Sequence, residues 1–194
     1  MDLPNKKYQI VYADPPWEYD DKLQNDPKYG GITYDIMKLK EICNLPISNI
    51  CKEDCVLFLW VTAPMLEKGF EVIRSWGFEY KTIGFVWVKI NDDGSFRTGI
   101  GKYTNSNVEL CLIGKKGKIN RVDTAVKQII KAKITKHSSK PKETYKRIEQ
   151  LYGDVPRIEL FARNKREGWD VWGNEVPTEC QNVLTEVSGN SSQH

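Results

Sequence analysis

Short apolar runs rich in β-formers recur along this chain with helix-like stretches between them, and that alternation narrows the fold more than any other feature. YQIVYA (8–13), a short apolar run rich in β-formers, and CVLFLWV (55–61) are of strand length and read as buried strands. MKLKEIC (37–43) predicts a short helix. PMLEKGFEVIRSWGF (64–78) predicts a longer one, with Leu66, Phe70 and Ile73 at helical spacing and Gly77 as its stop. TIGFVWVKI (82–90), VELCLIGKKG (108–117), VKQIIKAKI (126–134) and RIELFAR (157–163) predict further strands, RIELFAR being the last. Between them KETYKRIEQLYG (142–153) predicts a helix, with Ser138, Ser139 and Pro141 as cap signals and Gly153 closing it. This order predicts one α/β domain with a mostly parallel sheet, in which ligands gather at the carboxyl ends of strands. The domain is expected to span 1–177, followed by a polar, disordered tail over 178–194.

Two polar stretches, 18–33 and 91–107, read as long loops, and loops of that length inside a compact domain are often functional. No apolar stretch approaches the roughly 20 residues that span a bilayer. The N-terminus lacks the apolar middle of a secretory signal. The chain is therefore expected to stay in the compartment where it is made. Five cysteines without framework spacing, and two histidines far from Cys51 and Cys55, predict reduced thiols and no metal site. Between Lys115 and Arg147 twelve Lys and Arg stand against two acids, Asp123 and Glu143, in a chain whose total charge is only +3. Such a run fits a solvated face and also fits a polyanion, since Lys and Arg contacts to phosphates release counterions.

The residues after the first strand, Asp14-Pro15-Pro16-Trp17, raise a chemical possibility. They place a carboxylate, two positions without backbone donors and a flat ring together. An amine conjugated to an aromatic ring is a poor nucleophile, because its lone pair is delocalised. It becomes competent when two acceptors hold its N–H groups and absorb the positive charge that develops. Asp14 offers one acceptor and a proline carbonyl the other. Trp17 offers a face for a base, a contact worth about 1–3 kcal/mol in single-strand recognition. Catalysis of this kind is positioning and electrostatics. The same four residues also make a rigid turn, and alone they fit either reading.

Asp-Pro-Pro-Trp behind an apolar strand is the signature of amino-group methyltransferases that act on adenine. From about Tyr8 to Glu175 the chain resembles the MT-A70 family, which includes the catalytic subunit of the enzyme that methylates adenosine in messenger RNA. The resemblance is carried by YADPPW, YDIM, CVLFLWVT, GFVWVK, RTGIGKYTNSNVELCLIG, HSSKPKETYKRIEQLY, RIELFAR and GWDVWGNE, in the family order. It implies a Rossmann-like S-adenosylmethionine-dependent methyltransferase fold with permuted motif order. Only thirteen residues precede Asp14, with no glycine-rich donor loop among them, as a permuted order would have it. The resemblance implies catalytic roles for Asp14, Pro15, Pro16 and Trp17, the first two receiving the amine. It implies cofactor contacts by Lys140, Phe161, Arg163, Asn174 and Glu175, and contacts to the acceptor base by Tyr34 and Glu109. Glu159 is expected to organise Lys140 and Arg163 from behind. Trp60 matches a functional position but reads as core. The loops around 18–33 and 134–141 match gating regions.

The chain departs from messenger-RNA relatives in two places. It has no acidic residue well upstream of the corner, and NKREG after Arg163 is shorter and more basic than the relatives' stretch. The implied acceptor is adenine in nucleic acid, DNA more than RNA, because the chain resembles the compact bacterial and phage forms without an RNA-binding module. Relatives also pair as homodimers or heterodimers through the region matching GFVWVKINDDGSFRTGIGK. Two other readings differ in class. A non-catalytic partner of an active homologue would be expected to lose the aspartate or aromatic that this chain keeps. Amide methyltransferases carry Asn-Pro-Pro-Tyr, which differs at Asp14 and Trp17.

Overall fold

The computed structural model describes residues 2–19, 36–99, 103–135 and 139–174. The expected tail, Tyr34, Glu175, most of the 18–33 loop and residues 136–138 of the 134–141 loop lie outside these residues. Seven strands form one sheet: β1 (Tyr8–Ala13), β2 (Cys51–Val61), β3 (Glu79–Ile90), β4 (Val108–Lys116), β5 (Ile129–Lys133), β6 (Arg157–Leu160) and β7 (Asp170–Trp172). Their spatial order is β5-β3-β4-β2-β1-β6-β7. β1 pairs in parallel with β2 and β6, β6 with β7, and β3 with β5, while β4 opposes both β2 and β3. The mostly parallel α/β sheet is therefore present, with β4 alone reversed.

Three helices cover the sheet: α1 (Leu39–Cys43), α2 (Leu66–Ser75) and α3 (Lys142–Tyr152). α1 and α2 pack on one face, where Ile42, Val72 and Ile73 meet Val11, Leu57 and Leu59. α3 packs on the other, where Tyr145, Ile148 and Tyr152 meet Ile10, Phe58 and Trp60. β1 from Ile10 on and the second half of β2 read as unbroken apolar runs because both of their faces are covered. A register shift between Tyr8 and Ile10 puts Tyr8 on the same face as Val11, against plain alternation. Among the described residues no helix is long and apolar enough to cross a membrane.

Two expectations need correction. RIELFAR is not the last strand: β7 follows it, three residues long and too short to carry a period of its own. Of the three expected cap signals, Pro141 is the cap residue itself and makes no side-chain cap hydrogen bond, while Ser138 lies outside the described residues; Pro141 fixes its own φ where the helix begins, as ring closure dictates. Gly153, at φ 70, does close the helix. The second correction concerns charge. Because β4 is antiparallel, its end at Lys115 and Lys116 lies beside Cys55 and Val56, far from the carboxyl end of β2. Lys133, Lys140 and Lys142 instead line a cavity at the opposite end of the sheet. Arg147 is spent on structure, donating to the Lys127 and Ile129 carbonyls and pairing with Glu143. Among the described residues the 115–147 run is thus split between the two ends of the sheet.

Candidate active site

β1 delivers Asp14 directly from its carboxyl end, and the corner that follows is pinned in place. The Trp17 amide donates to the Pro15 carbonyl at 2.9 Å, and the Met37 amide to the Pro16 carbonyl at 2.8 Å. The Pro15 oxygen keeps a second lone pair, since a carbonyl carries two. Trp17 is 5% exposed, and its indole donates to the Trp60 carbonyl at 3.2 Å. It is an anchored wall more than an open stacking platform. Trp60 is fully buried as expected, donating to the Tyr12 hydroxyl at 2.7 Å, yet it also lines the site.

Lys140, 126 residues further along the chain, meets Asp14 here. Its ammonium lies 2.6 Å from Asp14 Oδ2 and 3.1 Å from Glu109 Oε2, and 5.7 Å from the centre of the Trp60 ring. Lys89 from β3 takes the other Glu109 oxygen, Oε1, at 2.6 Å. Burial opposes the charge on Lys140, but Asp14 and Glu109 outweigh it and hold the ammonium firmly protonated. Burial likewise opposes the charge on Glu109, and the two lysines bring it below the usual carboxylate range. For Asp14, burial wins over Lys140 and leaves the carboxyl raised, with the Glu109 charge adding to the rise.

Two cavities meet at this cluster. The larger, about 860 Å³, runs between the end of β5, the start of α3 and the segment after β6. The smaller, about 130 Å³, is walled by the corner residues, Tyr19, Trp60, Thr62 and Glu109. Asp14, Lys140 and Arg163 line both. The sequence-identified residues thus divide: Phe161 and Glu159 face the larger cavity, while Pro15, Pro16, Trp17 and Glu109 face the smaller. Asn174 is exposed at the end of β7 and outside both linings.

Phe161 has φ 59, the one positive φ at a non-glycine position among the described residues. Such a conformation costs roughly 1–3 kcal/mol and persists where surroundings impose it. Its ring packs on Trp172 at 5.6 Å, and the next residue, Ala162, receives Gly173 so closely that any Cβ there would strike the Ala162 and Phe161 backbone. Glu159 does not stand behind Lys140 as expected. It accepts from the Tyr145 hydroxyl at 2.9 Å, because β6 places it beside α3, and Lys140 is drawn to Asp14 and Glu109 instead. Burial pushes the Glu159 carboxyl up to about 7, against the Tyr145 hydrogen bond and Arg166. Arg166, which stacks 3.5 Å from the centre of the Tyr145 ring and lines the large cavity, was not foreseen. Its only sequence signal was the basic NKREG stretch. Lys89 was not foreseen either.

The family model for MT-A70 matches residues 8–175. The chain belongs to the MT-A70 family. It is 39% identical over 193 residues to the type II methyltransferase M.MunI of Mycoplasma sp, covering 90% of this chain and 80% of that protein. It is 35% identical over 175 residues to the human N(6)-adenosine-methyltransferase catalytic subunit METTL3, covering 88% of this chain but 28% of METTL3. An MT-A70-like N(6)-adenosine-methyltransferase of Arabidopsis thaliana is 34% identical over 176 residues, of which this chain spans 24%. The α/β sheet agrees with the Rossmann-like methyltransferase fold expected from the resemblance, and the chain is an enzyme of the methyltransferase class.

Proposed function

We propose that this domain transfers a methyl group from S-adenosylmethionine to the 6-amino group of adenine in DNA. The observation that carries the reading is the junction of a large and a small cavity at Asp14, Lys140 and Arg163. A two-substrate displacement needs two compartments that open onto one acceptor group, so that the reacting atoms lie in line. The large cavity combines carboxylates (Asp14, Glu159), cations (Arg163, Lys165, Arg166) and an apolar wall at Phe161. That mixture suits a donor carrying an ammonium, a carboxylate and a nucleoside. When bound, S-adenosylmethionine supplies a methyl group on a sulfonium leaving group.

The chain's own residues do the rest. Asp14 and the free lone pair of Pro15 accept the two amine N–H groups and turn the nitrogen lone pair toward the large cavity. Asp14 would stabilise the positive charge that develops on the amine nitrogen during transfer and take its surplus proton, the bound donor giving up its methyl group and leaving as the neutral thioether. Trp17, Tyr19 and Trp60 exclude water around the base. A base reaches a cavity of this size only when unstacked from its helix. Lys133, Lys142 and Lys165 at the mouth of the large cavity supply phosphate contacts in place of the full basic run.

DNA is favoured because the type II methyltransferase relative is matched over most of its length, whereas the adenosine methyltransferases are matched over a quarter or so. A cytoplasmic location goes with the Mycoplasma relative. Pairing with a second copy or a homologous subunit through 84–102 belongs to the same reading. The test is methyl transfer to matched single- and double-stranded DNA and RNA oligonucleotides, digested to nucleosides and analysed by mass spectrometry. N6-methyldeoxyadenosine alone is expected. N6-methyladenosine alone replaces DNA by RNA, and donor binding without transfer to any oligonucleotide points to a missing subunit.

Glu159 adds a pH signature. Its carboxyl, raised to about 7, is neutral below that pH and anionic above it. If it meets the donor's ammonium, donor affinity rises as pH increases through 7, and Glu159→Gln flattens the rise. Calorimetric titration with S-adenosylmethionine across this range checks it. The sign for stability is opposite: a carboxyl raised by burial costs stability as pH climbs from its unfolded value toward 7.

A further inference from the structure

We infer that Lys89, acting through Glu109, sets the position of Lys140 against Asp14 and is a positioning residue of the transfer site. The inference rests on Asp14 being the amine acceptor. Four charged side chains of alternating sign form a line: Lys89 near the end of β3, Glu109 at the start of β4, Lys140 ahead of α3 and Asp14 after β1. The successive contacts are 2.6, 3.1 and 2.6 Å. Each oxygen of Glu109 has its own ammonium. Lys89 lines neither cavity, so whatever it does for a bound substrate it does through Glu109.

The geometry around Lys89 is built rather than incidental. Trp87 and Glu109 are cross-strand partners, and Lys89, two residues beyond Trp87, points to the same face. Its ammonium lies 5.2 Å from the centre of the Trp87 ring, and that indole is fixed by donating to the Ala132 carbonyl at 2.9 Å. The side chains are shielded, with 22% exposure for Lys89, 11% for Glu109 and 9% for Lys140. Shielding makes their charges act on one another more strongly than at the surface.

Lys140 stands closer to Asp14 than to Glu109 because Lys89 already neutralises Glu109. Without Lys89 the full Glu109 charge falls on Lys140, drawing it toward β4 and away from Asp14. Asp14 faces Lys140 and Arg163 as cations, Glu109 and Glu159 as acids, and Tyr12, Tyr19 and Cys111 as neutral groups. Losing part of the Lys140 contact therefore weakens the stronger of the two cations facing Asp14 while the acids stay, and Asp14 takes up a proton at higher pH. A protonated Asp14 accepts amine hydrogens poorly, so the acid limb of the rate profile moves up.

The experiment is single-turnover methyl transfer against pH for the wild type, Lys89→Met, Lys89→Arg and Glu109→Gln. The acceptor is the best oligonucleotide from the assay above, with melting temperature and S-adenosylmethionine affinity as fold controls. Lys89→Met is expected to raise the acid limb by about one pH unit. Its rate loss should fade at high pH, and Lys89→Arg should restore the wild-type profile. Glu109→Gln removes a like charge from Asp14 and releases Lys140 to it, so its limb moves down. Opposite movements in these two variants are something a loss of packing would not produce. An unchanged limb in Lys89→Met overturns the inference whatever its rate, and if that variant does not fold, an unmoved or raised limb in Glu109→Gln does so. Failure of the Asp14 reading looks different: the wild type then has no acid limb, and Asp14→Ala remains active.

Discussion

Asp14→Ala is expected to reduce methyl transfer by about 10³-fold, the order found when one preorganised group facing developing charge is removed. Donor affinity should stay near the wild-type value. Asp14 accounts for only one of the charged side chains lining the large cavity, and Lys140 keeps Glu109 as its partner after the change. Fold should survive too, because the side chain is a third exposed and its removal leaves no buried charge unpaired. Single-turnover transfer measured beside calorimetric donor titration separates the two effects. Full activity would remove Asp14 from the chemistry. Lost donor binding would make its role one of assembling the larger cavity.

Lys140→Met should produce the largest loss of stability among the site variants. Lys140 touches both Asp14 and Glu109, at 2.6 and 3.1 Å. Removing a single partner from a buried ion pair costs about 3–5 kcal/mol, and the part from Asp14 must be discounted because that side chain is partly solvated. A loss of about 3 kcal/mol near neutral pH is therefore expected. The loss depends on pH in a definite direction. Without Lys140 both carboxyls hold their protons more tightly than in the wild type, Asp14 most of all since Glu109 keeps Lys89, so the variant's deficit grows as pH rises and they ionise. Acidification lets them protonate, and the deficit shrinks. Urea unfolding of variant and wild type at about pH 5 and about pH 7.5 reads the difference. A deficit of equal size at both would mean that lost packing, and not uncompensated charge, is the cause.

Different parts of this protein were legible in its sequence to different degrees, for identifiable reasons. YQIVYA matches β1 residue for residue, and Gly153 closes α3, because a covered strand and a left-handed turn each leave a local compositional mark. β7 left none, since three residues between a turn and Gly173 cannot show a period. The start of α3 was legible too, because Pro141, one of its expected signals, presets φ where the helix begins. Within the site, Asp14 and its corner were visible as an unusual cluster of adjacent residues. Lys89 was not: one lysine at the end of an amphipathic strand carries no signal until pairing sets Trp87 beside Glu109.

What the sequence by itself determined is therefore local chemistry: buried runs that must become strands, a rigid acidic corner behind the first of them, and ordered motifs that place the chain in its family. What only the tertiary structure decided is which distant charges meet. The reversal of β4 brings Glu109 to the reaction end of the sheet and sends Lys115 and Lys116 to the other, so one basic stretch of sequence serves two ends of the molecule. The reason is that burial couples charges by distance in space. The line Lys89–Glu109–Lys140–Asp14 joins residues from four parts of the chain, and the coupling between their charges exists only after sheet pairing has brought them together and taken water away.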